Sequence, residues 1–269
     1  MRYPNIKCFC YICSMIDINE FKIPREILEI LLLDRTTGEN ILWGTDQYGY
    51  DPKSQIQVEQ IISGDVIKPR VMKSQEDQKS RTDSKAEVYT PIEIIKKMND
   101  SVDEKFEGQA EDYIKRKVLE VTCGEAPYLV NRYDVSTGRE LFLSERQGLL
   151  DRKMRRINEL QVTNDKRTWE VCMTYALQST YGYEWQGDSL LLARENILYD
   201  VIDWYEDKFQ EAMPLEMMKE VACISTYNIV QMDGVTMCVP YSDTPVRIMN
   251  WELDEMERFD GQPEELSLF

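Results

Sequence analysis

Val118-Leu119-Glu120-Val121-Thr122-Cys123-Gly124-Glu125-Ala126-Pro127-Tyr128-Leu129 is the stretch on which the reading of the fold turns. An apolar run ends in a carboxylate, passes through small residues and a glycine, and opens a second apolar run. A buried parallel strand that delivers a ligand-binding turn at its carboxyl end has this form. Glycine permits close approach of the backbone, and the N–H groups that follow can face a polar ligand. Read alone, the stretch fits equally well a strand-to-helix turn with no ligand, so its neighbours have to decide.

Two later segments repeat the pattern. Tyr181-Gly182-Tyr183-Glu184-Trp185 is a strand candidate with a carboxylate near its end, and Tyr227-Asn228-Ile229-Val230-Gln231-Met232-Asp233-Gly234 again closes on a carboxylate and a glycine. Residues 235–241 read as a further strand. Helical spacing marks 149–157, 169–179 and 216–224, and a long helix from 189 through Tyr205 has Asp188 as its cap. Residues 127–133 fit a short helix. Strands alternating with helices predict an α/β fold with a mostly parallel sheet flanked by helices. The ligand crevice of such a sheet lies outside the carboxyl ends of its strands, here at Glu120, Glu184 and Asp233. Three hydrogen-bond acceptors suit a ligand with an ammonium, a ribose diol and an amino-purine better than they suit a polyphosphate. The glycine-rich lysine loop of a nucleoside triphosphate site is missing.

The rest of the chain divides into a leader (1–14), an N-terminal α+β extension with a basic linker (15–85), a main domain (86–250) and an acidic tail (251–269). Pro24 opens a helix, residues 31–43 read as strand, turn, strand, and residues 46–52 form a loop. Tyr48 and Tyr50 in that loop read as packing residues, with an aromatic nucleic-acid platform as the alternative. Between 68 and 85, Lys68, Arg70, Lys73, Lys79 and Arg81 sit among polar residues, as in a solvated loop or a phosphate-contacting segment. Thr90 reads as an N-cap with Pro91 at the first helical position, and that helix ends near Asn99-Asp100. The basic residues of 149–157 read as a solvated face.

Composition bounds the function. A chain of 269 residues with 42% hydrophobic content can bury a real core. Its net charge of −17 argues against a protein that coats nucleic acid through counterion release, while leaving room for a local basic cleft. There is no histidine, which removes His-based acid–base catalysis, Ser-His-Asp and Cys-His nucleophiles, and His-ligated metals. Cys8, Cys10 and Cys13 supply three thiolates where zinc needs four ligands, so no metal is expected. The scattered cysteines and the lack of a signal peptide predict free thiols in the cytoplasm. No apolar run approaches the length of a membrane span.

Residues 86–235 resemble the cofactor-binding half of adenine-N6 DNA methyltransferases of restriction–modification systems, most closely their methylation subunits. The resemblance implies a Rossmann-like S-adenosylmethionine (SAM)-dependent methyltransferase fold with SAM as cofactor. The family's Thr-Pro segment, which helps hold the cofactor, maps to Tyr89, Thr90 and Pro91. Its first motif maps to Glu120, Thr122, Cys123 and Gly124, with the usual second glycine missing and Ala126 nearby. The ribose-contacting acid would be Glu184 and the adenine-contacting acid Asp233. DNA is the implied partner, faced by Lys68, Arg70, Lys73, Lys79 and Arg81.

The family also carries an Asn/Asp/Ser-Pro-Pro-aromatic motif that holds the flipped base. No Pro-Pro occurs in this chain; the nearest remnant is Cys238-Val239-Pro240-Tyr241, with Tyr241 as the stacking candidate. The expected function is therefore that of a SAM-binding DNA adenine-N6 methyltransferase-like protein, with catalysis lost, truncated, or completed by a restriction–modification partner subunit. The alternative is a non-enzymatic acidic anti-restriction or regulatory protein that uses the scaffold to bind another defence protein. A SAM-consuming enzyme acting on something other than DNA is a third class.

Overall fold

In a computed structural model of the chain, the described residues are 23–62, 67–74, 76, 79, 82, 90–134 and 136–259. Cys8, Cys10, Cys13, Arg81 and Tyr89 lie outside them. In chain order the helices before the sheet are α1 (Arg25–Leu31), α2 (Val58–Ile62), α3 (Ile92–Asp103) and α4 (Ala110–Lys115), with a 3-10 turn at Arg70–Met72. Then come β1 (Val118–Glu120), α5 (Leu149–Glu159), α6 (Lys166–Gln178), β2 (Thr180–Glu184), α7 (Gly187–Phe209), α8 (Leu215–Asn228) and β3 (Ile229–Gln231). A hairpin of β4 (Arg247–Asn250) and β5 (Glu255–Arg258) follows.

The strands β1, β2 and β3 form one parallel sheet in that spatial order, with Val118 opposite Thr180 and Gly182 opposite Ile229. The architecture is thus α/β, a small parallel sheet with helical connections. When parallel strands lie side by side in sequence order, crossovers of one hand put every connecting helix on one face. The core divides accordingly. Val118 and Ile229 join the helices in the larger cluster, whereas Leu119, Val230 and Met232 face a smaller one. Among the described residues no helix packs on that second face, and the segment after β3 covers it through Val239, Val246 and Phe259.

The N-terminal segment shares the larger core. Ile27, Leu31, Ile41, Trp43 and Ile56 are fully buried in it. Arg194 of α7 is wholly buried and ties this segment to the sheet, donating to the carbonyls of Leu31 (2.6 Å), Leu33 (3.1 Å) and Ile229 (2.9 Å). Burial lowers its pKa to about 10. The Gln231 amide acts as a substitute strand neighbour, accepting from the Leu42 N–H at 2.7 Å and donating to the Leu42 carbonyl at 2.9 Å.

Several sequence expectations need correcting. Pro91, not Thr90, is the residue capping α3, and the helix runs to Asp103. Residues 31–43 make single bridges, Leu33 to Asn40 and Leu42 to Gln55, in place of two strands. Residues 127–133 turn without forming a helix. Their N–H groups are diverted: Tyr128 and Leu129 donate to Glu120, and Asn131 donates to Asp151 at 2.8 Å. Residues 235–241 form no strand, because Asp233 accepts from the Val235 N–H and the Thr236 hydroxyl and closes a tight turn.

The basic face of α5 is not solvated either. Lys153 is buried, with its ammonium on the Arg116 carbonyl (2.6 Å) and the Ser179 hydroxyl (2.7 Å), and burial pushes its pKa well down. Arg152 meets Asp100 and Asp103, each at 2.8 Å. Tyr50 stacks on Trp43 at a ring distance of 4.8 Å and Tyr48 lies tilted against it at 5.0 Å, so both pack.

Removing the Arg194 guanidinium strands two buried carbonyls, of Leu31 and Ile229, and the part-buried one of Leu33, and each unmet buried acceptor costs roughly 1–3 kcal/mol. Arg194→Met is expected to lower the unfolding free energy by about 3 kcal/mol or more in urea titrations. A loss under about 0.5 kcal/mol, the usual scale of a surface change, would show that α1 is not held through this residue.

Candidate functional site

The last residues of β1 and β2 carry the chemistry. Strand alternation turns Glu120 and Glu184 to the helical face, and both are buried. Glu120 accepts the N–H groups of Tyr128 and Leu129, one on each carboxylate oxygen and each at 3.2 Å. Glu184 accepts the N–H of Gly124 at 2.9 Å on one oxygen and that of Gln186 at 3.1 Å on the other. Burial pushes the Glu120 carboxyl well above the usual carboxylate range, and the neighbouring Glu184 adds repulsion. The Cys123 thiol between them is raised by burial first, then by both acids. Gly182 leaves room for that thiol, since a Cβ there would lie 3.3 Å from Cys123 Sγ.

Meeting these carboxylates distorts the backbone between them. Thr122, Gly124 and Ala126 all have left-handed φ values, of 47°, 54° and 61°. Glycine takes such a value freely, whereas a β-branched threonine there is a true outlier, and strain of roughly 1–3 kcal/mol per residue collects at ligand sites. The space above Gly124 is open, with no atom within 4 Å of where a Cβ would sit. The turn therefore offers an exposed backbone beside a buried carboxylate.

Surrounding elements hold it in place. The Glu125 carboxylate accepts from the Arg70 N–H at 2.6 Å and from the Tyr133 hydroxyl, and Asn196 of α7 donates to the Glu125 carbonyl at 3.0 Å. The Tyr128 hydroxyl donates to Thr90 Oγ1 at 3.4 Å, and Asn99 of α3 donates to the Tyr128 carbonyl at 3.0 Å. The Thr90-Pro91 step thus joins the turn through Tyr128. A second acid stands at the start of α7. Asp188 is not the cap of that helix, whose N-cap is Gln186. Its fully buried carboxylate accepts from the Tyr48 hydroxyl at 2.8 Å and pairs with Lys73 at 3.1 Å.

The expected basic segment splits. Arg70 is buried and Lys73 is committed to Asp188, so both turn inward toward the site, while Lys68 and Lys79 are exposed. Asp233, two residues beyond β3, spends its carboxylate on its own turn, and the Val235 N–H leads the bonds that hold its pKa down. Tyr241 has a left-handed φ of 62°, is 44% exposed, and sets its ring edge-on to Trp185 at 5.1 Å, next to Glu184 in the chain. Sequence reasoning missed Glu125, Tyr128 and Asp188 as builders of the site. Glu125 and Tyr128 lie within the quoted stretch, but what identifies them is a partner 55 or 38 residues away.

No family model, curated protein or solved structure matches the chain. Among the described residues no helix is long and apolar enough to cross a membrane, and no group of three cysteine, aspartate or glutamate side chains is arranged to hold a metal ion.

A folded-state pKa raised above its unfolded value stabilises the fold fully below the ordinary glutamate range, and that stability is lost as pH rises through the raised value. Glu120 has such a value, so the melting temperature is expected to decline over that interval. Glu120→Gln, though less stable overall, is expected to lose this part of the slope in melting curves recorded as a pH series. Identical slopes for the two proteins would contradict the assignment.

Proposed function

We propose that the chain is a SAM-binding protein of the DNA adenine-N6 methyltransferase type, a Rossmann-like cofactor half whose own sequence lacks the Pro-Pro tetrapeptide that handles the target base. The observation that carries the reading is the open, left-handed turn at Gly124, flanked by Glu184 on one side and by Thr90, through Tyr128, on the other. The donor set fits such a ligand. Glu184 is a hydrogen-bond acceptor at the carboxyl end of β2 beside the Gly124 turn, the kind of group that ribose hydroxyls use. An unobstructed glycine backbone lets a small polar group approach closely. Glu120 shapes the turn by gathering the Tyr128 and Leu129 N–H groups. When bound, SAM supplies a methyl group on a positively charged sulfur, and a partner subunit would supply the missing base-handling motif. Asp233 is the proposed adenine contact, Tyr241 the proposed stacking residue, and exposed Lys68 and Lys79 the proposed DNA contacts.

A second reading has its own support. Net charge −17 together with the missing tetrapeptide favours a non-enzymatic regulator that binds a defence protein through its acidic surface. Titration calorimetry separates the two. SAM is expected to bind the wild-type chain, and Glu184→Ala is expected to weaken it at least about tenfold, or ~1.4 kcal/mol. Asp233→Ala measures the adenine contact in the same way. No heat with wild type, or equal affinity in Glu184→Ala, would remove the cofactor reading and leave the regulator.

A further inference from the structure

Two aspartates outside the candidate site meet in the core. Asp151, in the first turn of α5, and Asp200, in the middle of α7, are each 0% exposed. One oxygen of each is engaged. Asp151 Oδ2 accepts the N–H groups of Asn131 at 2.8 Å and Gly148 at 2.9 Å, and Asp200 Oδ1 pairs with Arg146 at 2.7 Å. The other two oxygens, Asp151 Oδ1 and Asp200 Oδ2, are buried with no hydrogen-bond partner among the described residues. Yet the two side chains lie within hydrogen-bonding reach of each other. Two ionised carboxylates only repel at that range, because neither has a hydrogen to give.

The charges around the pair do not relieve it. Arg146 divides its guanidinium between Asp200 and Asp203, the latter at 2.6 Å, and Arg132 also turns to Asp203, at 3.3 Å. Arg155 of α5 donates to the carbonyls of Leu143 and Arg146. None of the three makes an ion pair with Asp151. A bound metal ion would call for a third ligand, and among the described residues no group of three acids or thiols is arranged to hold one. Burial pushes the Asp200 carboxyl well above the usual aspartate range, and the facing Asp151 adds repulsion. A single proton meets every one of these demands. Carried on one acid and donated to the other, it gives both remaining oxygens a partner in a charge-assisted O–H···O⁻ bond.

We infer that Asp151 and Asp200 hold one proton between them at neutral pH, and that this proton latches the chain leaving β1 onto α7. Asp151 pins Asn131 and Gly148, and the two residues after Gly148 bond back toward the turn. Leu149 donates to the Tyr128 carbonyl at 2.8 Å and Leu150 to that of Leu129 at 2.9 Å. Tyr128 and Leu129 are the residues whose N–H groups serve Glu120. The shared proton therefore ties α7 to the segment that shapes the Gly124 turn. It is taken from water on folding and returned to water when the pair ionises, leaving two bare carboxylates face to face between α5 and α7. A raised folded-state pKa gives stability that is complete below the ordinary aspartate range and lost as pH rises through the raised value, so the latch opens on the alkaline side. It does not depend on cofactor binding.

The test is a pH titration of the full chain labelled with 13C at the aspartate side-chain carboxyls alone, which leaves Glu120 silent. Two resonances are expected to move together, with a shared midpoint well above the ordinary aspartate range, and the Asn131 amide is expected to shift with them. In Asp151→Asn the amide supplies permanently what the proton supplies. Its oxygen can accept the Asn131 and Gly148 N–H groups while its NH2 donates to Asp200. That variant is expected to lose the high titration and to flatten part of the decline in melting temperature with rising pH. Asp151→Ala, which strands both N–H groups, is expected to melt well below it. Aspartates that are all ionised at neutral pH, as a bridging water would leave them, would overturn the shared proton. So would a high titration that survives in Asp151→Asn, or equal melting of the two variants. An Asn131 amide that ignores the step would overturn the latch. The wild-type titration decides by itself if a variant fails to fold.

Discussion

Glu120 is buried at the end of β1 with two backbone N–H groups as its partners, and much of the surrounding structure follows from satisfying it and its neighbour Glu184. Removing a carboxylate from water costs several kcal/mol, which raises the Glu120 pKa, and backbone donors return only part of that cost. Two donors per carboxylate are therefore about the least that makes burial tolerable. Three of the four, Gly124, Tyr128 and Leu129, come from the chain leaving β1, and the fourth, Gln186, from the chain leaving β2. Residues 122–126 double back through three left-handed positions, and residues 127–133 keep a single helical turn, with the Val130 N–H on the Ala126 carbonyl at 2.9 Å, without extending it into a helix.

The same requirement explains why the turn is braced from outside. A strained backbone persists only where its surroundings over-determine it. Glu125 links the turn to the Arg70–Met72 segment and to Tyr133, Asn196 links it to α7, and Tyr128 links it to Thr90 and α3. These braces leave one face uncovered, above Gly124. An open, preorganised backbone beside a buried acid is a costly arrangement for a mere strand-to-helix connection. The proposed cofactor would give it a purpose.

The sheet was legible in the sequence wherever a strand is buried and punctuated. The runs closing on Glu120, Glu184 and Asp233 announced parallel strands, the third of which stops at Gln231, two residues short of its acid, and the helices between them followed from their apolar spacing. What escaped depends on partners far away along the chain. The basic residues of α5 look like any solvated face, yet Lys153 caps the carbonyls of Arg116 and Ser179 from inside the core. Asp188 looks like a helix cap, yet Tyr48 and Lys73 claim its carboxylate. The β4–β5 hairpin was hidden because its strands are short and exposed, with charges at Glu255, Glu257 and Arg258 where a buried strand would show alternation. At the candidate site, Gly124 and the flanking acids were readable as a motif; the left-handed Thr122 and Ala126 were not, because neither residue type advertises that conformation.

The most direct measurement of the central claim is the amide spectrum of the 15N-labelled chain during titration with SAM. The account predicts that the Gly124 and Glu125 resonances shift and gain protection from exchange, while those of β4 and β5 stay in place. Unchanged amides at 124 and 125, or shifts confined to the hairpin, would mean that the turn answers only to its two buried carboxylates.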